Sequence, residues 1–403
     1  MKKTFAVSPD LWYPYIVHTR AQPGGMMISY GMVGGGPGAF IGDVHRKAIR
    51  IEGLAQLCAG CFSRHPEKSA AFGKELGVAP DRLYCNYLEM AEAESKRADG
   101  IKFAVCVTPN AFHYEICKAF LERKINAVCD KPLTFTSAEA EELVAIAKKN
   151  NLLFGVTYTY TGYPAVKQMR SMIKAGRIGK IRFINAEYPQ EWLAMPIDEH
   201  SKIAPWRMDP KMSGKVNCLG DIGTHIEDLV YNVTGLRMKR ISAHLDTLVQ
   251  GRTLDDNAVV NVEYESGAKG LYWSSQIAFG YDNAVKIRIF GEKGGLEWFQ
   301  EDPDHFIFTP CDGPKEIISR GRDAFDPSAQ KFSRLPSGHQ EGIYEAFANI
   351  YKAYVMALEK KLDGKHLESE DLDFPTGEDG LQGVRYVEKC LESNALDGAW
   401  TQI

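Results

Sequence analysis

The stretch Gly34-Gly35-Gly36-Pro37-Gly38-Ala39-Phe40-Ile41-Gly42 decides the fold of this chain. It follows the apolar run 26–33 and precedes a helical pattern that begins near Asp43. A glycine-rich turn between a strand and a helix lets backbone N–H groups approach a pyrophosphate, and the helix N-terminus faces its charge. We therefore predict a dinucleotide site here, with contacts from Gly34, Gly36, Pro37, Gly38, Ala39 and Phe40.

The spacing within this loop departs from the usual dinucleotide fingerprint. Gly34-x-Gly36 fits the opening of G-x-G-x-x-G, but Ala39 stands where the third glycine is expected. Gly42, three residues later, is the next glycine at which the helix could pack closely on the strand. We expect the additional residues 37–40 to reach past the phosphates toward the nicotinamide. A stretched fingerprint is a weak signal by itself, so other parts of the chain have to support it.

The composition is typical of a globular protein in a reducing compartment. The chain has 403 residues, 44% hydrophobic and 25% charged, with a net charge of −4. It is long enough for two cores, and its charge gives no reason to expect nucleic acid or an anionic membrane as a partner. No apolar run reaches the ~18–20 residues of a membrane span. Nine cysteines, an odd number, indicate reduced thiols and a cytoplasmic location.

Neither the N-terminus nor the cysteine pattern indicates special processing. Residues 1–26 have no apolar segment followed by a small-residue cleavage site, so we expect an arm outside the first domain rather than a signal peptide. Cys58-x-x-Cys61 lies in a strand-like run without a second such pair or a histidine pair. It therefore predicts buried thiols and no metal site.

Strand-like and helix-like patterns alternate through residues 27–155. Such an alternation predicts a doubly wound parallel sheet of the Rossmann type, an α/β fold that binds ligands at the carboxyl ends of its strands. After the first strand, the predicted strands are 55–62, 103–107, 127–129 and 153–157, and the predicted helices are 44–51, 66–76, 111–123 and 136–150.

The pattern changes in residues 156–403, where consecutive strands are joined by short links. This predicts a second, α+β domain with a large, mainly antiparallel open sheet that binds substrate. One face of such a sheet needs a cover, either helices or another subunit, so we expect a homo-oligomer formed through the sheet. The predicted strands are 181–187, 240–248, 258–264, 270–276, 285–291 and 295–299, and the predicted helices are 341–362 and 377–391.

The end of the second strand bears on the choice of nicotinamide cofactor. An acidic residue there binds the adenosine ribose of NAD, whereas an arginine accepts the 2′-phosphate of NADP. The sequence has Ser63 and Arg64 and no acid. The local chemistry therefore tilts slightly to NADP, although Arg64 could also stack on adenine or be an exposed loop residue.

Lys131 stands in Cys129-Asp130-Lys131-Pro132, directly after a short predicted strand. A lysine at that position projects from the top of the sheet toward the nicotinamide end of the crevice. Its ammonium can hydrogen-bond a substrate hydroxyl and stabilise the alkoxide character that develops as hydride leaves. The alternative is a solvated Asp–Lys pair on the surface, which is the commoner fate of such residues.

The segment 220–228, Gly-Asp-Ile-Gly-Thr-His-Ile-Glu-Asp, holds a second chemical pattern. If it opens a helix, Asp221 and His225 are four residues apart and share a face. A carboxylate that orients an imidazole makes a general base near neutral pH. A metal site or a structural histidine would also use this spacing, but no third ligand stands nearby.

The order of these motifs resembles the Gfo/Idh/MocA oxidoreductases over roughly residues 27–400. The resemblance implies a Rossmann domain, an open-faced sheet domain that mediates oligomers, and reversible oxidation of a sugar or polyol hydroxyl with NAD(P). By motif match it gives Lys131, Asp221 and His225 the catalytic roles, with Asp130 replacing the usual glutamate. The motifs are the glycine loop with His45, Thr108-Pro109-Asn110 with His113, 130–132, Trp206-Arg207-x-Asp209-Pro210 and 220–225. From the same resemblance we expect contacts to the cofactor from Thr108, Asn110, His113, Asp130 and Lys131.

The stretched loop, together with 62–64 and 66–69, resembles the branch of this family that oxidises glycosides. That resemblance implies oxidation of the C3 hydroxyl of a glucosyl group, in a C- or O-glycoside, to a 3-keto sugar. It also implies NAD rather than NADP, against the hint from Arg64. A C3 ketone acidifies the neighbouring C2–H, so a downstream lyase is an expected partner.

We expect His225 to accept the hydroxyl proton while Asp221 holds the other ring nitrogen, and Lys131 to hydrogen-bond the same oxygen; Lys131 and His225 could exchange the base role. The expected sugar-binding residues are Tyr158, Trp206, Arg207 and His225, although Trp206 could equally pack between the domains.

Two alternative functions remain open from the sequence. One is a redox-neutral enzyme that retains NAD, such as an NAD-dependent glycosidase or a sugar transhydrogenase. The other is a non-catalytic NAD(P) sensor, which would have no need of the proton-handling set.

Overall fold

The computed structural model describes residues 27–196, 205–322 and 325–403. The N-terminal arm predicted at 1–26 lies outside the described residues. Among the helices described, none is long and apolar enough to cross a membrane.

The first part of the chain forms a five-stranded parallel sheet in the order β2-β1-β3-β4-β5, flanked by helices. This confirms the predicted Rossmann fold. Helix α3 has no counterpart among the predicted helices, and α1 begins four residues before the predicted start. The elements are β1 (Ile28–Gly34), α1 (Phe40–Ile51), β2 (Ala55–Cys61), α2 (Pro66–Glu75), α3 (Tyr87–Lys96), β3 (Phe103–Val107), α4 (His113–Glu122), β4 (Asn126–Cys129), α5 (Ser137–Lys149) and β5 (Phe154–Val156).

The second part forms a nine-stranded sheet in the order β13-β12-β11-β10-β6-β9-β8-β7-β14, in which only the β6–β9 pair is parallel among the described strands. This confirms the large, mainly antiparallel sheet, with more strands than predicted. Its elements are α6 (Pro164–Lys174), β6 (Ile181–Pro189), α7 (Pro210–Ser213), α8 (Thr224–Thr234), β7 (Met238–Asp246), β8 (Asn257–Tyr264), β9 (Lys269–Ser275), β10 (Lys286–Gly291), β11 (Gly294–Phe299), β12 (His305–Pro310), β13 (Glu316–Ser319), α9 (Pro327–Gln330), α10 (Ile343–Leu362), α11 (Gly377–Ala395) and β14 (Thr401–Gln402).

The two last long helices join the sheets. Helix α10 buries Phe347, Tyr351 and Tyr354 in the same apolar core as β1 and β3, so it covers a face of the Rossmann sheet. Helix α11 packs against α5 on one side and β7 on the other. The predicted boundary at 155/156 falls at the end of β5, yet the C-terminal part of the chain returns to complete the first core.

Candidate active site

A cavity of about 1590 Å³ lies at the carboxyl edge of the parallel sheet, between the two sheets. It is larger than the ~300–1,000 Å³ of a typical single-ligand pocket, so it has room for two ligands side by side. The predicted site residues in its lining are Gly34, Gly38, Ala39, Phe40, Ser63, Arg64, Thr108, Asn110, Asp130, Lys131, Trp206, Arg207, Asp221 and His225. Gly36, Pro37, His113 and Tyr158 are not among the lining residues.

The glycine loop is shaped for a close approach to a phosphate. Gly34 and Gly35 have φ angles of +85° and +64°, which side chains rarely adopt. A Cβ on Gly36 would lie 2.5 Å from the Phe62 carbonyl oxygen, and one on Gly42 would lie 2.3 Å from the Gly35 Cα. Gly42 therefore allows the helix–strand contact that the third glycine of the fingerprint usually provides.

The first turn of α1 is open toward the cavity. Its N-cap residue, Ala39, supplies no side-chain hydrogen bond to the first turn, so the N–H groups there remain available to an anion. Together with the glycine cradle, this donor set fits the pyrophosphate of a dinucleotide. Arg64, which also lines the cavity, follows β2, and no acidic residue stands beside it.

Asp221 is the centre of the polar cluster in the cavity. Lys131 Nζ donates to Asp221 Oδ1 at 2.7 Å and also to its backbone oxygen. Arg207 Nη1 donates to Oδ1 at 3.1 Å, and Gln276 Nε2 donates to Oδ2 at 2.9 Å. Burial opposes ionisation of this carboxyl, but Lys131 and Arg207 outweigh it and hold the pKa of Asp221 below its usual range. The loop after β4 and the turn before α8 are thereby tied together.

The prediction of a hydrogen bond between Asp221 and His225 was wrong. His225 Nδ1 is buried and has no hydrogen-bond partner among the residues that the structure describes. The reason is competition, because charge-assisted bonds from Lys131 and Arg207 are stronger than one from a neutral imidazole. Asp221 therefore positions Lys131.

His225 lies in a cage of aromatic rings. The rings of Tyr160, Tyr158 and Tyr188 have centroids 4.9, 5.7 and 6.2 Å from that of the imidazole. Burial, and secondarily the nearby Lys131, lowers the pKa of His225 well below its usual value. The ring is therefore neutral at physiological pH and has a free lone pair.

Three further predicted site residues have different contacts from those expected. His113 is fully buried, with Nδ1 2.8 Å from the Pro132 oxygen and Nε2 3.0 Å from the Thr108 oxygen. It braces the two loops instead of lining the cavity, so its assignment as a cofactor contact was wrong. Asp130 Oδ1 accepts from Thr157 Oγ1 at 2.8 Å and holds the turn before Lys131. Tyr158 packs behind His225, and Tyr160 stands in the cavity wall instead.

A polar network in the cavity wall was not predicted from the sequence. Asn283 Oδ1 accepts from Tyr188 Oη at 2.6 Å and from Gln190 Nε2 at 2.7 Å, and its Nδ2 donates to Tyr160 Oη at 3.2 Å. Tyr188 and Gln190 come from the end of β6, Asn283 from the loop before β10, and Tyr160 from the turn between β5 and α6. No local motif marks them, because the sheet pairing alone brings residues 190 and 283 together.

Trp192 and Trp206 flank Arg207 in the same wall. The guanidinium carbon lies 5.8 Å from the ring of Trp192 and 4.9 Å from the ring of Trp206. Trp192 Nε1 donates to Gln190 Oε1 at 2.8 Å, which fixes that ring against the network. The wall therefore offers flat apolar faces next to hydrogen-bonding groups.

Two family models match the chain. The model of an oxidoreductase family with an NAD-binding Rossmann fold matches residues 28–158, and the model of the GFO/IDH/MocA C-terminal domain matches residues 166–297. The uncharacterized oxidoreductase YfiI of Bacillus subtilis (strain 168) is 37% identical over 387 residues, which cover 93% of this chain and 96% of that relative.

Solved structures agree with these matches. The chain is similar to an inositol dehydrogenase homolog from Azotobacter vinelandii, whose complex with NAD+ superposes with a TM-score of 0.89 at 37% identity, covering 94% of this chain and 98% of that chain. The complex of that homolog with NADH and myo-inositol gives a TM-score of 0.87 at 36% identity over the same shares. Levoglucosan dehydrogenase from Pseudarthrobacter phenanthrenivorans is more distant, at 28% identity over 49% of this chain and 55% of that relative.

A Rossmann sheet joined to an open sheet, with a lysine–aspartate pair in the cavity between them, is the architecture of a nicotinamide-dependent oxidoreductase. The family models and the relative of nearly full length then place the chain more closely: it belongs to the Gfo/Idh/MocA family of oxidoreductases, as its motifs predict.

Proposed function

We propose that this protein is an NAD-dependent dehydrogenase that oxidises a secondary hydroxyl of a sugar or cyclic polyol to a ketone. The observation that carries the proposal is the Lys131–Asp221 ion pair beside His225, in a cavity that also contains the glycine loop. The bound NADH and myo-inositol of the Azotobacter vinelandii homolog support the same pair of ligands. NADP is the less favoured cofactor in this proposal, and Arg64 is the feature of the site that would suit it.

The cofactor would lie on the glycine loop and the first turn of α1, with Ser63, Arg64 and Thr108 along its length. Bound NAD+ would supply the acceptor for the hydride that leaves the substrate carbon. The chain's own residues would hold the substrate hydroxyl and take its proton. The ring of His225 can accept this proton because its lowered pKa leaves it unprotonated at neutral pH, with a lone pair free for the substrate hydroxyl.

Lys131 has the complementary role in this proposal. Its ammonium is fixed by Asp221, so it can donate a hydrogen bond to the substrate oxygen and stabilise the developing alkoxide. Asn283, Gln190 and Tyr160 would bind further hydroxyl groups of the ring, and Trp206 and Arg207 would contact its face. This division assigns the base role to His225 and the donor role to Lys131.

Within this class we propose a glucoside as substrate, oxidised at C3. The flat faces of Trp192 and Trp206 beside Arg207 favour an apolar aglycone at the cavity wall. A 3-keto product would then be passed to a lyase that removes the C2 proton. We also propose that the protein acts in the cytoplasm as a homo-oligomer formed through the large sheet.

The test is incubation of the purified protein and NAD+ with myo-inositol, glucose, an O-glucoside and a C-glucoside. NADH absorbance and mass spectrometry for the loss of two hydrogens would report oxidation. We expect the glucosides to give a keto product. Oxidation of myo-inositol alone would retain the dehydrogenase and reject the glucoside. Cleavage of a glucoside to sugar and aglycone without added NAD+ and without net NADH would instead indicate the redox-neutral chemistry of a retained cofactor.

A further inference from the structure

The side-chain amide of Gln276 lies directly behind the carboxylate of Asp221. Gln276 follows β9 and is fully buried, and unlike Asp221 it is not among the residues that line the cavity. Its Nε2 donates to Asp221 Oδ2 at 2.9 Å, whereas Lys131 and Arg207 donate to Oδ1. The two oxygens of one carboxylate therefore have different partners: Oδ2 is held from the core, and Oδ1 is left to the cations of the site.

The side chain of Asn217 fixes the orientation of the Gln276 amide. Asn217 is buried, and its Nδ2 donates to Gln276 Oε1 at 2.7 Å. Despite burial, Lys131 and Arg207 hold the pKa of Asp221 low, and an ionised carboxylate can only accept hydrogen bonds. Gln276 must therefore turn its NH2 group toward Asp221, which leaves its oxygen for the NH2 group of Asn217. The charge of the carboxylate thus sets the direction of every hydrogen bond in the chain.

The loop before β8 holds the backbones of both amide residues. Asp255 Oδ1 accepts from the backbone N of Asn217 at 2.6 Å, and the backbone oxygen of Asp256 accepts from the backbone N of Gln276 at 2.9 Å. The backbone oxygen of Asn217 in turn accepts from the backbone N of Asp221 at 2.8 Å. The two amides therefore extend from fixed backbones, which leaves their side chains little freedom to pair differently.

We propose that Gln276 is a positioning residue, which fixes the rotation of the Asp221 carboxylate and thereby presents Oδ1 to Lys131. Without its bond to Oδ2, the carboxylate can turn and offer both oxygens to Arg207, because a guanidinium binds a carboxylate best in a bidentate manner. Lys131 would then keep only the backbone oxygen of Asp221, and its ammonium would no longer be directed at the substrate oxygen. The catalytic consequence rests on the proposed function, whereas the placement of the ion pair does not.

The first test needs no turnover. Gln276→Met keeps the length of the side chain and removes both of its hydrogen bonds. Crystal structures of the native protein and of this variant, in the same crystal form, report the contact between Lys131 Nζ and Asp221 Oδ1, which is 2.7 Å in the native chain. We expect the variant to lose this contact. The matched control is Gln168→Met, a buried glutamine on α6 whose Oε1 accepts from the backbone N of Asp326, and it should leave the contact intact.

Turnover of whichever sugar or polyol the native protein oxidises supplies a second measurement. Gln276→Met should lower kcat about tenfold, because a misdirected group loses its effect on the transition state without leaving the site. The KM and the Kd of NAD+ should each stay within about twofold, because Gln276 lies outside the cavity lining. Gln168→Met, which also loses a buried hydrogen bond, should leave kcat unchanged.

The pH profile of Gln276→Glu separates positioning from general structural support. The introduced side chain has the same shape, and its protonated carboxyl can still donate to Asp221 Oδ2. Once ionised, it can only accept, so it repels Asp221 or competes with it for Lys131 and Arg207. We therefore expect the ratio of its kcat to that of the native protein to be highest at low pH and to fall as the pH rises. Gln276→Met has no titrating group and should show a constant ratio.

Three results would each overturn the proposal: an unchanged contact between Lys131 and Asp221 in folded Gln276→Met, native kcat in that variant, and an equal loss of kcat in Gln168→Met. If Gln276→Met does not fold, Gln276→Glu decides, because a kcat ratio that is independent of pH would also contradict the positioning role. Absence of dehydrogenation in the native protein would instead reject the proposed function, and the crystal structures would still decide whether Gln276 places the ion pair.

Discussion

At the scale of single residues, the site is organised around one carboxylate. The carboxylate of Asp221 accepts hydrogen bonds from Lys131, Arg207 and Gln276. Two cationic groups therefore share one negative charge in a mostly buried place. The pair Lys131–Asp221 joins residues 90 positions apart in the chain and so connects the Rossmann sheet to α8. The ammonium is therefore held in place before any substrate arrives, which is the requirement for electrostatic preorganisation.

Lys131→Met should strongly reduce turnover while cofactor binding is retained. General acid–base and electrostatic contributions of a single group are worth roughly 10²–10⁴-fold, so we expect kcat to fall in that range. The Kd of NAD+, measured by fluorescence titration, should change by no more than about threefold. Lys96→Met, on an exposed face of α3, is the control. Wild-type turnover of Lys131→Met would contradict the role.

The residue scale also shows what the sequence could predict. Lys131 and Asp221 were found because each follows a strand or opens a helix within a short local motif. The partner of His225 was assigned incorrectly, because spacing along a helix does not reveal that distant Lys131 and Arg207 compete for the same carboxylate. Asn283 was missed because only the pairing of β6 with β10 brings it near Gln190.

At the scale of elements, the glycine loop and α1 form one unit. The missing third glycine is explained by Gly42, whose Cα lies against Gly35 where the helix crosses the strand. The helix was predicted to begin too late because Pro37, Gly38 and Gly42 all disfavour helix in isolation. In the structure, packing of α1 on the sheet outweighs this preference, and the element starts at Phe40.

Gly36→Ala tests the close approach within this loop. Its Cβ would lie 2.5 Å from the Phe62 carbonyl oxygen, so the loop has to move away from β2. We expect NAD+ to bind about tenfold more weakly, which corresponds to ~1.4 kcal/mol. Gly295→Ala, where the nearest atom would be 3.4 Å away, is the control measured by the same calorimetric titration. Equal affinity in both variants would show that the loop does not contact the cofactor.

Helix α8 should give the protein a measurable pH dependence. Burial raises the pKa of Glu227 from 4.5 to about 8, so the folded state binds this proton more tightly than the unfolded chain. The contribution to stability is complete below pH 4.5 and is lost as the pH rises through about 8. Urea unfolding of Glu227→Gln between pH 5 and 8 should therefore show a shallower loss of stability than the native protein. Parallel curves for the two proteins would contradict this.

At the scale of the whole molecule, the two sheets share their supporting helices. Tyr354 on α10 packs 5.3 Å from Phe103 and 5.1 Å from Phe374, between ring centroids. Its hydroxyl donates to the carbonyl oxygens of Ala127 and Leu153. Strand–helix alternation predicts the first sheet and consecutive short-linked strands predict the second. Neither pattern reveals this return of the chain, because nothing local in an amphipathic helix specifies which sheet it covers.

Tyr354→Ala should therefore destabilise the whole protein. Removal of a buried aromatic ring costs about 3–5 kcal/mol, and Tyr354→Phe, which loses only the hydroxyl, should cost about 1 kcal/mol. Met356→Ala, on the exposed side of the same helix, should stay within ~0.5 kcal/mol of the native protein. Because α10 and α11 connect both cores, we expect one cooperative transition in scanning calorimetry that shifts as a unit, with NAD+ raising it further. Two separate transitions, of which only the first moves in Tyr354→Ala, would show that the sheets unfold independently.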